Sequence, residues 1–369
     1  MKKQTLLVTA LVSLMAANTA TAADPVIKVT LLGTGVPLLN ADALNANGRA
    51  LSGLLVEAGS ERMLFDCGQG VYNRLVESGG GYLNPNVGVD KVFLSHLHSD
   101  HIADLAPLYA IGALYRHPDA TGFGDKGLSN YPFPTTTPLQ VWGPGAGPHQ
   151  PVGTWAMMQS FRNAYESDFH LRDMWGGWNA SLGYEAINTL GNTTELSEGV
   201  AYENNGVKVT AFTVNHAPVT PSFGFRVDYK GHSVVYSGDT APTDNLVKNS
   251  KGVDILVHEV YGYARAASPK IYDYHTSPED AATIFNKTEP KQAVYTHLVV
   301  PPGTTPDDLK ARTRAAGYKG KLALGVDLMT IAVNADDTVT VTQPTTAKAQ
   351  NAKKATSDFI EVVQPHEAE

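Results

Sequence analysis

One seven-residue run, Ser95-His96-Leu97-His98-Ser99-Asp100-His101, constrains this chain more than any other. It follows the apolar triplet Val92-Phe93-Leu94 and precedes an apolar stretch with helical spacing. In an extended segment alternate residues share a face, so His96 and His98 point the same way. Asp100 and His101 then open a helix and can turn back toward the same place. Imidazole nitrogens with a carboxylate oxygen suit zinc or a similar first-row ion. No cysteine lies within the run, which argues against an iron–sulfur or thiolate site. A mere surface histidine cluster would not need a strand before it and a helix after it.

Four such groups in six positions cannot all serve one ion, so further donors are expected downstream. His216, Asp239 and His297 each sit just past a hydrophobic run, in the loops where functional groups are usually presented. The seven donors suit two ions that share a bridging carboxylate.

The chain around these residues reads as α/β. Short β-branched runs bounded by turn residues predict strands at about 26–32, 52–58, 62–66, 91–95 and 139–142. A second set is expected at about 207–214, 223–229, 232–237, 255–258, 292–296 and 329–333. Helices are expected at about 71–78, 101–115, 154–165, 276–286 and 305–316. Strands followed by helices, twice over, suggest two similar halves with buried sheets. The stretch 116–204 breaks the rhythm and holds all four tryptophans, Trp142, Trp155, Trp175 and Trp178. It reads as an insertion that either packs its aromatics into a small core of its own or walls a pocket for an apolar substrate group.

Residues 1–22 carry Lys2 and Lys3, then an apolar run from Leu6 to Ala16, then Ala20-Thr21-Ala22. That order is the pattern of a secretory signal peptide, and the apolar run is too short to anchor in a bilayer. Export, to the periplasm or beyond, is expected, with no stable membrane anchor after cleavage. The domain would then span 23–342, followed by a polar tail at 343–369. The full chain has a net charge of −8; without Lys2 and Lys3 it has 26 basic against 36 acidic residues, or −10. An acidic exported protein is a poor match for nucleic-acid binding, so a small-molecule substrate is expected rather than a nucleic acid. The single cysteine, Cys67, excludes an intrachain disulfide and reads as buried and inert. A homodimer is compatible with all of this.

At this point the sequence resembles the metallo-β-lactamase superfamily, in the branch that contains tRNase Z and similar arylsulfatases and phosphodiesterases. His-Leu-His-Ser-Asp-His at 96–101 matches the family hallmark. Gly33-Thr34-Gly35, Leu64-Phe65-Asp66-Cys67-Gly68, Val214-Asn215-His216 and Gly238-Asp239-Thr240 follow in family order. Val257-His258-Glu259, Tyr274-His275-Thr276-Ser277 and Thr296-His297 complete it. The resemblance implies an αββα four-layer sandwich with two zinc ions at one edge, manganese or iron being possible substitutes. It implies His96, His98 and His216 on one ion, Asp100, His101 and His297 on the other, and Asp239 bridging. Asp66 would orient a ligand histidine.

The catalytic groups implied are Asp100, His275 and Glu259, with His275 assisting the leaving group and Glu259 as its partner. The reaction implied is attack by zinc-generated hydroxide on a phosphodiester or aryl sulfate. A β-lactam or lactone hydrolase would use the same centre, and a non-catalytic zinc-binding protein would keep the donors without the chemistry. A tRNase Z-type endoribonuclease is the less favoured reading. Those enzymes carry a long arm between the residues matching His216 and Asp239, which here are only 23 apart. They also carry Ser and Arg after the last histidine, where this chain has Leu-Val-Val-Pro-Pro.

Overall fold

The computed structural model describes residues 24–37, 48–78, 89–114, 139–176 and 193–344. The expected signal peptide, the tail beyond 344, and the stretches 115–138 and 177–192 lie outside the described residues.

Two sheets follow from period-2 patterning. The first contains β1 (Ile27–Gly33), β2 (Gly53–Ala58), β3 (Glu61–Phe65), β4 (Lys91–Phe93), β5 (Gln140–Pro144), β6 (Thr193–Leu196), β14 (Thr330–Val333) and β15 (Val339–Thr342). Its order is β15-β14-β1-β2-β3-β4-β5-β6. The second contains β7 (Gly199–Asn204), β8 (Val207–Thr213), β9 (Phe223–Tyr229), β10 (His232–Tyr236), β11 (Ile255–Tyr261), β12 (Gln292–Val299) and β13 (Leu322–Leu324), in the order β13-β12-β11-β10-β9-β8-β7. Strands β3 to β6 run parallel, as do β10 to β13. The remaining pairs are antiparallel, so each half starts as hairpins and ends in a parallel run.

Strands buried on both faces need apolar residues at successive positions, and these have them. Met63 and Phe65 of β3 face the second sheet, while Leu64 faces helices. Val234 and Tyr236 of β10 face the first sheet, while Val235 faces helices on the other side. Helices α1 (Val71–Ser78), α3 (Leu105–Leu114) and α4 (Thr154–Gly176) cover the first sheet. On the second lie α5 (Asp244–Ser250), α6 (Pro278–Thr288) and α7 (Pro306–Ala315). The result is the expected αββα sandwich.

The expected helix at 101–115 is two: α2 (Ser99–Ile102) and, after a break at Ala103-Asp104, α3. The break frees the Asp104 carboxylate to accept from the backbone N–H groups of Gly70 (2.8 Å) and Tyr72 (3.0 Å) at the start of α1. Among the described residues, the stretch expected as an insertion supplies β5, α4 and β6 to the first half and β7 to the second. Trp142 lies in the inter-sheet core, stacked on Phe93 at 4.6 Å, whereas Trp155 is 52% exposed. A core private to that stretch is therefore not what buries Trp142. The side chains of Trp175 and Trp178 are outside what the structure describes.

Phe93 is sandwiched between Trp142 and Phe65, the latter at 5.1 Å. Phe93→Ala is expected to cost about 3–5 kcal/mol in denaturant unfolding, the range for emptying a buried aromatic site. Trp155→Ala should change stability by no more than about 0.5 kcal/mol.

Candidate metal centre

The carboxyl ends of the parallel strands, where open α/β sheets usually present their ligand groups, converge at one edge of the sandwich. The loop after β4 carries His96 and His98, α2 carries Asp100 and His101, and β10 leads into Asp239. Glu259 lies on β11 and His297 on β12. His216 follows β8, and His275 lies just before α6, which Ser277 caps by accepting from Asp280 N. All ten residues singled out from the sequence, including Asp66, meet here.

Two backbone features aim these groups. β11 and β12 pair Glu259 with Thr296 and Val260 with Leu298, so His297 is an extra residue with no partner. It sits at φ 44°, a left-handed conformation unusual outside glycine. This is a bulge, and it turns the His297 ring into the site. Asp66, at φ 57°, leaves β3 in the same way. Gly68 answers a different need: a Cβ there would stand 2.1 Å from the Asp100 carbonyl oxygen, so only glycine lets the two loops touch.

His96, His98 and His216 form one group of donors, and Asp100, His101 and His297 another; His96, His101 and Asp239 form a third that joins them. His98 Nδ1 lies 3.0 Å from His96 Nε2 and 3.3 Å from His216 Nε2. Asp100 Oδ2 lies 3.4 Å from His101 Nε2 and 3.2 Å from His297 Nε2. Asp239 spans both groups, with Oδ1 3.5 Å from His101 Nε2, and Oδ2 3.3 Å from His297 Nε2 and 4.0 Å from His96 Nε2. Donors placed tetrahedrally about zinc at its usual bond length are about 3.3 Å apart. Most of these separations match that edge.

The hydrogen bonding supports the same fit. His101 Nε2 and Asp239 Oδ1 are buried and face each other, yet neither makes a hydrogen bond. A cation between them would satisfy both.

The opposite edges of the rings are tied down, as metal-ligating histidines require. Asp66 Oδ2 is 2.8 Å from His101 Nδ1. The Ser95 hydroxyl donates to Asp66 Oδ2 at 2.7 Å and lies 3.0 Å from His96 Nδ1, from which it can accept. His216 Nδ1 is 3.0 Å from the carbonyl oxygen of Tyr274. Each leaves an Nε2 lone pair facing the centre. Ser95, Tyr236 and the Tyr274 carbonyl were not singled out from the sequence. Ser95 could have been, from its place beside His96; a backbone carbonyl leaves no such signal.

Burial, reinforced by the neighbouring His101, holds His96 well below its ordinary pKa, so it stays neutral and able to ligate. His101 goes the other way: burial opposes its charge, but Asp239, Asp100 and Asp66 outweigh it and raise its pKa well above the ordinary value. A cation at that end must displace a proton, so loading weakens as the pH falls.

Beside the cluster, His275 Nδ1 lies 2.8 Å from Glu259 Oε1, which also accepts from Thr240 N at 2.8 Å. Glu259 is fully buried and His275 nearly so. Burial works against a charged His275, but the Glu259 carboxylate prevails and pushes its pKa up to about 9. Cys67 is buried, and burial raises its thiol pKa well above the ordinary value, in keeping with an inert residue.

A two-sheet sandwich with these donors along one edge defines a metal-dependent hydrolase of the metallo-β-lactamase fold. Residues 173–298 match the Beta-lactamase superfamily domain, and residues 27–117 match the family of the Anti-Pycsar protein Apyc1. Ribonuclease Z of Mycobacterium bovis is 30% identical over 321 residues, covering 84% of this chain and 99% of its own length. That of Mycobacterium marinum is 32% identical over 316 residues, covering 84% and 99%. The chain belongs to the metallo-β-lactamase superfamily, in the branch that holds ribonuclease Z. Human tRNase Z, short form, shares the fold with a TM-score of 0.55 at 23% identity, covering 83% of this chain and 98% of its own. The metallo-β-lactamase fold protein YhfI from Bacillus subtilis does so with a TM-score of 0.53 at 20% identity, covering 83% and 99%.

In metal-stripped protein, an NMR titration of His275 should give a midpoint near 9. Glu259→Gln removes the charge that raises it, leaving burial dominant, and the midpoint should fall below 6.5. The sign for stability follows, because the folded pKa exceeds the unfolded one. The pair's contribution is complete below about pH 6.5 and is lost as the pH rises through about 9.

Proposed function

We propose that the protein is an exported dinuclear metallo-phosphodiesterase in which His275 protonates the leaving alcohol. The observation that carries this reading is the buried His275–Glu259 pair set beside a donor cluster shared through Asp239. When bound, two divalent ions, zinc by the donor set, supply an acidified water and neutralise charge on the phosphate oxygens. His96, His98 and His216 would hold one ion, Asp100, His101 and His297 the other, and Asp239 both. Asp66, Ser95 and the Tyr274 carbonyl fix the rings.

Glu259 holds Nδ1–H of His275, so Nε2 is the atom that gives up a proton. As the water oxygen bonds to phosphorus, the bond from phosphorus to the leaving oxygen breaks. The His275 proton moves to that oxygen, and the proton released by water restores the imidazolium. An aryl sulfate would meet the same groups, and the ordinary cost of losing such an acid is roughly 10²–10⁴-fold in rate. A β-lactam or lactone gives less reason for a buried Glu–His pair.

A second reading, an endoribonuclease acting on precursor tRNA, is favoured by the relatives named Ribonuclease Z. Against it, β9 and β10 fill the interval between His216 and Asp239 and leave no room there for an arm.

The test is steady-state hydrolysis of an alkyl 4-nitrobenzyl phosphodiester, bis(4-nitrophenyl) phosphate, 4-nitrophenyl sulfate, a chromogenic cephalosporin and a precursor tRNA. His275→Ala is expected to lower kcat by roughly 10²–10⁴-fold for the alcohol leaving group. It should lower it far less for 4-nitrophenolate, which departs with little help. Cleavage of the cephalosporin alone, unaffected by His275→Ala, would sink the reading; a precursor tRNA preferred over every small diester would establish the second. Asp239→Ala should lose bound metal and turnover together, by elemental analysis and rate; a protein that serves only as a scaffold would keep its function without the metal.

A further inference from the structure

Next to the centre, on the side of His98, the structure has a cleft of about 390 Å³. His98 forms part of its wall, so the cleft opens directly onto the donor cluster. Its other walls come from three places. Leu97 lies within the histidine run and Ile102 follows it; His149, Val152 and Met157 belong to the β5–α4 connection and α4, and Val219 to the loop after His216. Among the described residues, no Asp, Glu, Lys or Arg lines it. The two loops that meet here are tightly fitted: a Cβ on Gly147 would stand 1.9 Å from the Thr220 carbonyl oxygen.

One polar group in the wall is unfulfilled. Gln150 is buried, and its Nε2 donates to the Gly145 carbonyl at 2.8 Å, which leaves Oε1 without a donor. Buried acceptors are rarely left so. That oxygen is itself out of reach of solvent, so recognition falls to the wall, which is aliphatic apart from His98, His149 and Gln150 and fits an uncharged ring.

We propose that this cleft binds the organic group that stays on phosphorus during hydrolysis, and that it selects an uncharged apolar ring. The inference rests on the phosphodiesterase reading. The side of the site decides which ester group enters. The cleft is walled by His98, whereas the proton donor His275 is flanked by Tyr261 and Tyr274 and is not part of the cleft. The leaving alcohol must reach His275, so the group in the cleft is the retained one. An apolar cavity of about 150 Å³ suffices for benzene, and this one has space to spare. Burying a phenyl group rather than a methyl group is expected to raise kcat/KM roughly 10- to 100-fold.

The experiment compares phenyl 4-nitrophenyl phosphate with methyl 4-nitrophenyl phosphate on the metal-loaded enzyme, the leaving group being constant. Wild type should favour the phenyl ester by tenfold or more. Val152→Asp, at a position 46% exposed, and Met157→Ala should each bring the ratio toward one and leave the methyl ester's turnover unchanged. A wild-type ratio near one, or a ratio that neither variant moves, overturns the proposal. If no diester is hydrolysed, the phosphodiesterase reading fails on its own, and the cleft is judged by saturation-transfer NMR with indole. Binding in wild type that Val152→Asp removes then upholds the ring site; no binding overturns it.

Discussion

The Asp66 carboxylate ties the fold to the site. It is fully buried, and the donors around it come from three residues that support the centre. Oδ1 accepts from Ser95 N at 2.7 Å, and Oδ2 from the Ser95 hydroxyl at 2.7 Å and the Tyr236 hydroxyl at 2.7 Å, with His101 Nδ1 at 2.8 Å. Ser95 belongs to the loop after β4 in the first sheet and His101 to α2 beyond it, and Tyr236 ends β10 in the second. One anion therefore fixes the start of the histidine run, the orientation of one of its rings, and the distance between the sheets. A buried carboxylate is tolerable only with such a complement of donors. Any strand shift that misplaced one donor would leave charge uncompensated. The inter-sheet register is thus held by the same group that aims His101.

The donors reach the centre from both sheets. His96 and His98 come from the first and His216 from the second; Asp100 and His101 come from the first and His297 from the second. Asp239, which both groups share, comes from the second. Imidazoles come within 3.0 and 3.3 Å of one another, and buried carboxylates face them with unsatisfied atoms, an arrangement that a cation would complete. With one, the same contacts become bonds that cross the interface between the sheets. An ion that prefers the assembled donors would stabilise the state that assembles them.

What the sequence shows of this is uneven, for physical reasons. Near-continuous apolar runs reveal the central strands, since burial on both faces demands them. The short strands β6, β13 and β15 bury little and carry no such signature. β7 was hidden for another reason: the stretch around it is rich in glycine, proline and tryptophan and resembles an insertion. The donors were legible because histidine and aspartate at strand ends are few and chemically distinctive. The devices that aim them were not. The bulge at His297 is one residue of register, and the left-handed turn at Asp66 is one dihedral angle. The His216 ring is fixed by a carbonyl that any residue at 274 would supply.

Asymmetry in what surrounds the centre gives it direction. On one side, His275 is held by a buried carboxylate and stacked against Tyr261 with ring centroids 5.6 Å apart. On the other, His98 borders a largely apolar cleft that, among the described residues, has no Asp, Glu, Lys or Arg in its wall. His216 touches both histidines, at 5.1 Å from His98 and 5.0 Å from His275. A diester has two organic arms that bulk solution does not distinguish. On the proposed reading, one arm would meet a proton donor and the other an apolar surface. An arm that will depart as an alkoxide gains most from the acid. An arm that stays bonded to phosphorus develops no charge, and loses nothing by burial among Leu97, Ile102, Val152 and Met157. If a diester is the substrate, the two walls would sort its arms by the charge each carries in the transition state, and the direction of cleavage would follow from where the fold places a single buried carboxylate, Glu259.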